Sequence, residues 1–470
     1  MRKGVECLTK LNEDKREALK TLLKKHFPLL GILLGAALLS ISLGPYSSWD
    51  SQIEFTAASG VFRWGLPYTT FGNLINVPPL GFYIDALFLK LFGLSYEMAV
   101  NVITLFSLGC VFLLFKIGEV LYGTRTGLFA AALFALTPWQ VIMSRVFLVD
   151  VQCLFFSLLY LLVGIWAIRK DSLKLFFVAG VLFGFALLTK LFALFMLIPL
   201  SLIYIYWRPK NRMRMLEGIL VFFLPAFLLQ YSWYVLITGR GLLSAFHHDD
   251  FNVYLPSGFT PSPFFSLSFF SEVLGVFFLL GTSFSLLFSF LRRKFFSKIL
   301  VFDLICFATI VGVVGLNTYL VVGNGMLIPY VNSVKYDYLA LPMFCLLAAS
   351  LAKKCSVFFK WKNISGKYGT VIFYVAVLGL YLLLISMIFN LLSLGMISKY
   401  DWLSFKVDGG FSYSFEVLPP ILDSGHLWAI QIFGFILIQF SLLWAVRDKL
   451  ASFLHHAENS TDSSTKNSLA

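Results

Sequence analysis

The chain has 470 residues, of which 59% are hydrophobic and only 13% charged, with a mean hydropathy of +0.84; soluble domains carry about 25% charged residues. That composition excludes an ordinary soluble protein and describes a polytopic membrane protein. The formal net charge of +13 is distributed in short clusters between apolar runs, a pattern that orients helices in a bilayer and argues against nucleic acid as a partner.

In chain order, residues 1–27 hold eight Lys and Arg. The Lys/Arg/Leu period of Lys15 to Phe27 predicts a basic amphipathic helix on the cytoplasmic leaflet. The polar lead-in and the turn-forming Gly44-Pro45-Tyr46-Ser47-Ser48 are unlike a cleaved signal peptide, so the first apolar run is expected to stay as an anchor. Windows of about 20 apolar residues place spans near 28–44, 97–120, 127–142, 150–168, 175–189, 191–207, 216–237, 271–291, 299–322, 338–352, 370–391 and 427–446. The expected fold is an all-α integral membrane bundle of about twelve transmembrane helices, by that length criterion.

Orientation follows from the basic residues. With the N-terminus and C-terminus cytoplasmic, 29 of the 37 Lys and Arg fall in inner segments, leaving Arg63, Lys90, Arg145, Lys190, Arg240, Lys335, Lys399 and Lys406 outside. The opposite orientation breaks the positive-inside rule at nearly every loop. The external segment 45–96 is rich in aromatics and carries Pro78-Pro79, which suits short interfacial helices; Pro79 is expected to open a helix over Leu80 to Phe92. The body of the protein is thus 28–446, followed by a polar tail, 447–470, with a disordered composition. The six cysteines fall within spans or on the inner side, so no disulfide framework is expected.

The candidate site residues gather at the outer ends of spans, where an ionisable side chain is costly unless paired, hydrated or functional. Asp50 and Glu54 are four apart and share one face if 48–62 is helical; such carboxylates can supply a general base. The structural alternative for Asp50 is a helix cap. Asp150 closes Ser144-Arg145-Val146-Phe147-Leu148-Val149-Asp150 at a span boundary. Arg145 suits phosphate oxygens, or else pairs with Asp150 within the loop. Lys190, after Leu187-Leu188-Thr189, and Lys335, beside Tyr336, either join Arg145 in a cationic floor for a lipid phosphate or extend to lipid headgroups. His247-His248-Asp249-Asp250 is dense in ligand-type residues but lacks spaced partners; His247 fits a loop contacting a polar substrate, and no cofactor is assigned, with a divalent metal left open.

Taken in order, the acid after the first span, Asn76-Val77-Pro78-Pro79-Leu80, Ser144-Arg145 to Asp150, Leu188-Thr189-Lys190 and Lys335-Tyr336 to Pro342 resemble the polytopic GT-C glycosyltransferases, in particular the protein mannosyltransferase and lipid A aminoarabinose transferase group. The resemblance covers most of residues 28–350. It implies transfer of a hexose or pentose from a polyprenyl (dolichyl or undecaprenyl) phosphate donor to a protein, lipid or glycan acceptor at the external face of a cell membrane. It also implies catalytic acids at Asp50 and Asp150, with basic residues on the carrier phosphate. Two positions depart from the family pattern: Ser51 stands where a second acid is common, and Asn76-Val77 where His or Glu-Lys is common. Glu54 is the nearest replacement for that missing acid. The alternative from another class is a transporter or flippase for a lipid-linked saccharide, although such proteins place their ionisable groups near the midplane and show paired repeats.

Overall fold

A computed structural model describes residues 27–42, 44–47, 49–69, 72, 74–75, 77–207, 212–239, 297–323 and 338–362, scattered residues within 282–291 and 430–441, and the short strands at 405–407, 411–413 and 416–417. The expectations placed on 1–26, His247, Lys335, Tyr336, the span 370–391 and the tail lie outside the described residues.

The chain enters through α1 (Phe27–Ser42), passes a two-residue strand β1 (Tyr46–Ser47), and turns into α2 (Trp49–Trp64) and α3 (Leu80–Phe92). Pro79 sits at the N-cap of α3, and Gly93, at φ 110, ends it. Then come α4 (Tyr96–Leu121), α5 (Thr124–Leu136), α6 (Pro138–Met143), α7 (Val149–Lys170) and α8 (Leu173–Thr189). Ser95 caps α4 by accepting from the Met98 N–H at 3.1 Å, the usual use of a serine at that position. A 3-10 turn (Leu191–Met196) leads into α9 (Leu197–Tyr206), followed by α10 (Arg212–Tyr231), α11 (Ser297–Gly323) and α12 (Leu341–Lys362).

Three expected spans differ in detail. Residues 127–142 form not one helix but α5 and α6, because Pro138 cannot donate to the ladder and restarts the helix at its first position. Residues 191–207 begin as a 3-10 turn before α9. Residues 216–237 hold Pro225 within α10 and finish in π-helical geometry over Ser232–Ile237. The all-α expectation is modified by four small strands: β1 pairs antiparallel with β4 (Glu416–Val417), and β2 (Phe405–Val407) with β3 (Phe411–Tyr413).

Among the described residues, Tyr96–Leu121, Val149–Lys170 and Met213–Ile237 are long and apolar enough to cross a membrane, and five shorter apolar helices accompany them. In α7, 83% of the apolar window is buried, against 28% in Met213–Ile237, so α7 is the central post and α10 presents its apolar side outward. Small residues let the helices close up, as in membrane bundles generally. A Cβ on Gly180 of α8 would stand 2.0 Å from the Phe222 carbonyl oxygen of α10, and one on Gly118 of α4 only 2.7 Å from Gly127 of α5.

Candidate active site

The first turn of α7 is the point where the chemistry-bearing residues meet, and the Ser144–Leu148 loop before it is tied down from four sides. Ser144 Oγ donates to Ser40 Oγ of α1 at 2.8 Å, and its carbonyl accepts from Thr104 Oγ1 of α4 at 2.8 Å. The Tyr46 N–H of β1 donates to the Arg145 carbonyl at 2.7 Å. Phe147 packs edge-on against Phe55 of α2 and Tyr96 of α4, with ring centres 5.9 and 6.4 Å away. A loop anchored this way holds its flanking side chains in place.

Asp50 lies in the first turn of α2, half-buried, where its charge complements the positive end of the helix. Ser51, at the position where an acid was expected, is fully buried and accepts from the Tyr96 hydroxyl at 2.8 Å. A carboxylate there would lose its hydration. Glu54, one turn on, is also buried; its Oε2 accepts from the Val149 N–H at 2.9 Å. Leu148, the N-cap of α7, has no side chain able to do this, so Glu54 reaches across from α2 to cap α7, satisfying an orphan amide and opposing the helix dipole.

Asp150, next along, takes the Lys190 ammonium at 2.7 Å, with side chains 5% and 11% exposed respectively. Lys190 is the extended residue after α8, so its backbone leaves the helix and its side chain turns back toward α7. Its carbonyl accepts from Cys153 Sγ at 3.7 Å. A pair this enclosed is held because removing either partner leaves an uncompensated charge. Arg145 turns inward as well. Its guanidinium donates to Asn101 Oδ1 at 3.1 Å and Thr104 Oγ1 at 3.2 Å. Burial lowers its pKa, while the charges of Glu97 and Tyr46 oppose that shift. The same burial pushes the Tyr46 phenol up to about 12, against the pull of Arg145.

The structure therefore brings Glu54, Asp150, Arg145 and Lys190 to one end of the bundle and puts Asp50 on the helix that carries Glu54. It also brings in Asp85 of α3, which sequence reasoning passed over. Asp85 Oδ1 accepts from Gln152 Nε2 of α7 at 2.6 Å, and both side chains are wholly buried. The only sequence signal was an acid inside the apolar run Leu80 to Phe92. Four described cysteines, Cys110, Cys153, Cys306 and Cys345, are buried free thiols. No group of three or more His, Cys, Asp or Glu residues arranged to hold a metal occurs among the described residues.

Residues 76–233 match the family model described as dolichyl-phosphate-mannose-protein mannosyltransferase. Over 130 residues the chain is 28% identical to the inferred mannosyltransferase YycA of Bacillus subtilis (strain 168), covering 28% of this chain and 19% of that one. Among solved structures, the apo oligosaccharyltransferase of Archaeoglobus fulgidus superposes with a TM-score of 0.51 at 14% identity, covering 78% of this chain and 56% of that one. ArnT from Cupriavidus metallidurans, in the apo state, covers 91% and 77% respectively at 14% identity, with a TM-score of 0.48. The chain thus spans only about a fifth of YycA and about half of the oligosaccharyltransferase.

Proposed function

We propose that the chain is a membrane glycosyltransferase of the GT-C type, a reading supported by the family match and the shared fold, and that it transfers a sugar from a polyprenyl-phosphate carrier to an acceptor hydroxyl or amine at the external face of its membrane. The observation that carries this reading is where the family match falls. Residues 76–233 supply Arg145, the first turn of α7 with Asp150, and Lys190.

Displacing a phosphate from an anomeric carbon requires a nucleophile relieved of its proton and a leaving group whose growing charge is stabilised. Asp50, half-buried at the start of α2, is the proposed base. It takes the acceptor proton as the acceptor bonds to the anomeric carbon and the bond from that carbon to the phosphate oxygen breaks. Arg145 and Lys190 supply positive charge toward the departing polyprenyl phosphate, with Lys335, Tyr336 and His247 proposed to complete the donor side. Asp150 holds Lys190 in place. The carrier lipid explains why such a site stands at a bundle end: the isoprenoid stays in hydrocarbon while phosphate and sugar reach water.

Purified protein given a radiolabelled polyprenyl-phosphate sugar should release the free carrier phosphate in an acceptor-dependent way. Asp50→Asn should cut turnover by on the order of 10²- to 10⁴-fold, the usual worth of a general base, with folding intact. Movement of intact donor across a vesicle membrane without cleavage would establish a transporter instead. Near-normal turnover in Asp50→Asn would remove that residue from the role.

A further inference from the structure

Asp85 has no part in the chemistry proposed above, yet it is fully enclosed and pressed against the turn that carries Asp150. One of its oxygens is satisfied by Gln152. The other, Oδ2, has no partner among the described residues, and neither has Gln152 Oε1. An ionised carboxylate is acceptor-only. Facing an amide, it would leave its own second oxygen and the amide oxygen unpaired together, both buried. A carboxylic acid presents a donor beside an acceptor, which is the complement of the amide edge. One proton thus resolves both orphan atoms at once.

We propose that Asp85 is a neutral carboxylic acid, its Oδ2–H donating to Gln152 Oε1 while Oδ1 accepts from Nε2, and that this two-point ring fixes the first turn of α7 so that Asp150 is positioned for the reaction.

Three further observations support the ring. Gly81, one turn before Asp85 on α3, lies directly under the amide: an added Cβ would fall 2.5 Å from Gln152 Oε1 and 2.7 Å from Val149 Cγ1. The bare backbone lets α3 approach α7 closely enough for the two side chains to meet. Second, α2, α4, α7 and α8 pack around α3, bringing Glu54, Glu97, Asp150 and Lys190 into its surroundings. Lys190 is taken by Asp150, Glu97 acts on Arg145, and the charge that reaches Asp85 is the like charge of Glu54. Third, burial first, then Glu54, push the Asp85 carboxyl well above the usual range, against the opposing hydrogen bond from Gln152. Neutralisation is how a buried acid without a cation normally escapes its desolvation cost.

The protonation state is independent of the proposed transferase activity; the positioning role rests on it. The test therefore has two arms. Infrared spectra of the full-length protein in detergent at neutral pH, wild type minus Asp85→Asn, should show a carboxylic-acid carbonyl band above the amide band, shifted down in D₂O and absent from the variant. No such band means that Asp85 is ionised and overturns the proposal whatever the protein catalyses. In the second arm, Asp85→Asn reproduces the ring with an amide donor and should keep turnover within about threefold of wild type, as expected where hydrogen bonding is preserved. Asp85→Leu, which leaves the Gln152 amide unpaired, should lower kcat by about tenfold to a hundredfold with the donor KM little changed, the signature of a misplaced group. If Asp85→Leu does not fold, Gln152→Leu replaces it. Equal damage from Asp85→Asn and the leucine variant, or none from either, would overturn the positioning role.

Discussion

Lys190 on Asp150 at 2.7 Å and Lys354 on Asp303 at 2.6 Å are the same chemical pair set at different levels of α4. The first adjoins Val151, whose carbonyl accepts from Cys110 Sγ near the middle of α4; the second lies at Tyr122, just past the end of α4. At 1.5 Å per residue the helix separates these two levels by roughly 18 Å. Their surroundings differ in kind. Around Lys354 and Asp303, both without exposed side-chain surface, polarity is saturated. Ser289 Oγ donates to Asp303 Oδ2 at 2.7 Å, the Tyr122 hydroxyl to Oδ1 at 3.1 Å, and Lys354 to Ser285 Oγ at 2.6 Å. Around the first turns of α7 it is not: Asp85 Oδ2, Gln152 Oε1 and Ser157 Oγ are three of the four buried side-chain atoms left unpaired among the described residues. A saturated pair fastens helices, here joining the end of α4 to α11 and α12. At the α7 end each orphan polar atom calls for an explanation, and the proton proposed between Asp85 and Gln152 supplies it for two of them.

The contrast breaks first under charge removal. Lys354→Met strands Asp303 in hydrocarbon and should cost about 3–5 kcal/mol, as for other buried pairs cut on one side, read as a large drop in melting midpoint in detergent. The double variant Lys354→Met, Asp303→Leu should recover most of that loss, because removing both charges removes the desolvation cost. Lys190→Met strands Asp150 in the same way and should lower the midpoint as well, but it should also abolish turnover in the molecules that remain folded, where Lys354→Met keeps it. If the two lysine variants prove equally unstable and equally inactive, the division into fastener and site fails.

The next effect is a pH dependence. An acid whose folded pKa lies above its ordinary value of 3.8 keeps its proton in the folded state after the unfolded chain has released it. Folding stability from Asp85 is then fully present below 3.8 and falls as pH rises toward the raised folded value, by about 1.4 kcal/mol per pH unit for one proton. Melting curves across that window should show a slope in the wild type that is absent from Asp85→Asn. Identical slopes would mean that the orphan oxygens at the site end are not held by a proton.

The helices that carry these groups were legible in the sequence, and the pairings that were not have definite causes. The helix from Leu80 to Phe92 followed from Pro79, whose backbone preference is local. The expectation of Asp50 and Glu54 on one helix needed only a period of 3.6. Hydropathy windows, by contrast, cannot see hydrogen-bond geometry, so Pro138 and the 3-10 turn at Leu191–Met196 disappeared inside single spans. Pairings escaped for another reason. Asp150 finds Lys190 forty residues on, and Arg145 finds Asn101 and Thr104 on α4, through close helix approaches that no loop spacing encodes. Asp85 was hidden most thoroughly. Its burial depends on Gly81 allowing α7 to come near, a property of two helices rather than of either sequence.

The smallest expected effect concerns Glu54, which sequence spacing offered as a second catalytic acid and which the fold sets on the Val149 amide at 2.9 Å. Glu54→Gln separates the two roles, since glutamine keeps an oxygen acceptor for that amide and loses only the charge. A base at this position would make the variant lose on the order of 10²- to 10⁴-fold in turnover. A helix cap predicts a cost within about 1 kcal/mol, the usual scale of a charge at a helix N-terminus, and turnover near wild type. The same substitution removes the like charge that raises Asp85, so the pH-dependent fall in stability should end at a lower pH while Asp50-dependent turnover persists. A catalytic collapse in Glu54→Gln, with the melting curve unmoved, would return Glu54 to the chemistry and leave the first turn of α7 in need of another explanation for its anchoring.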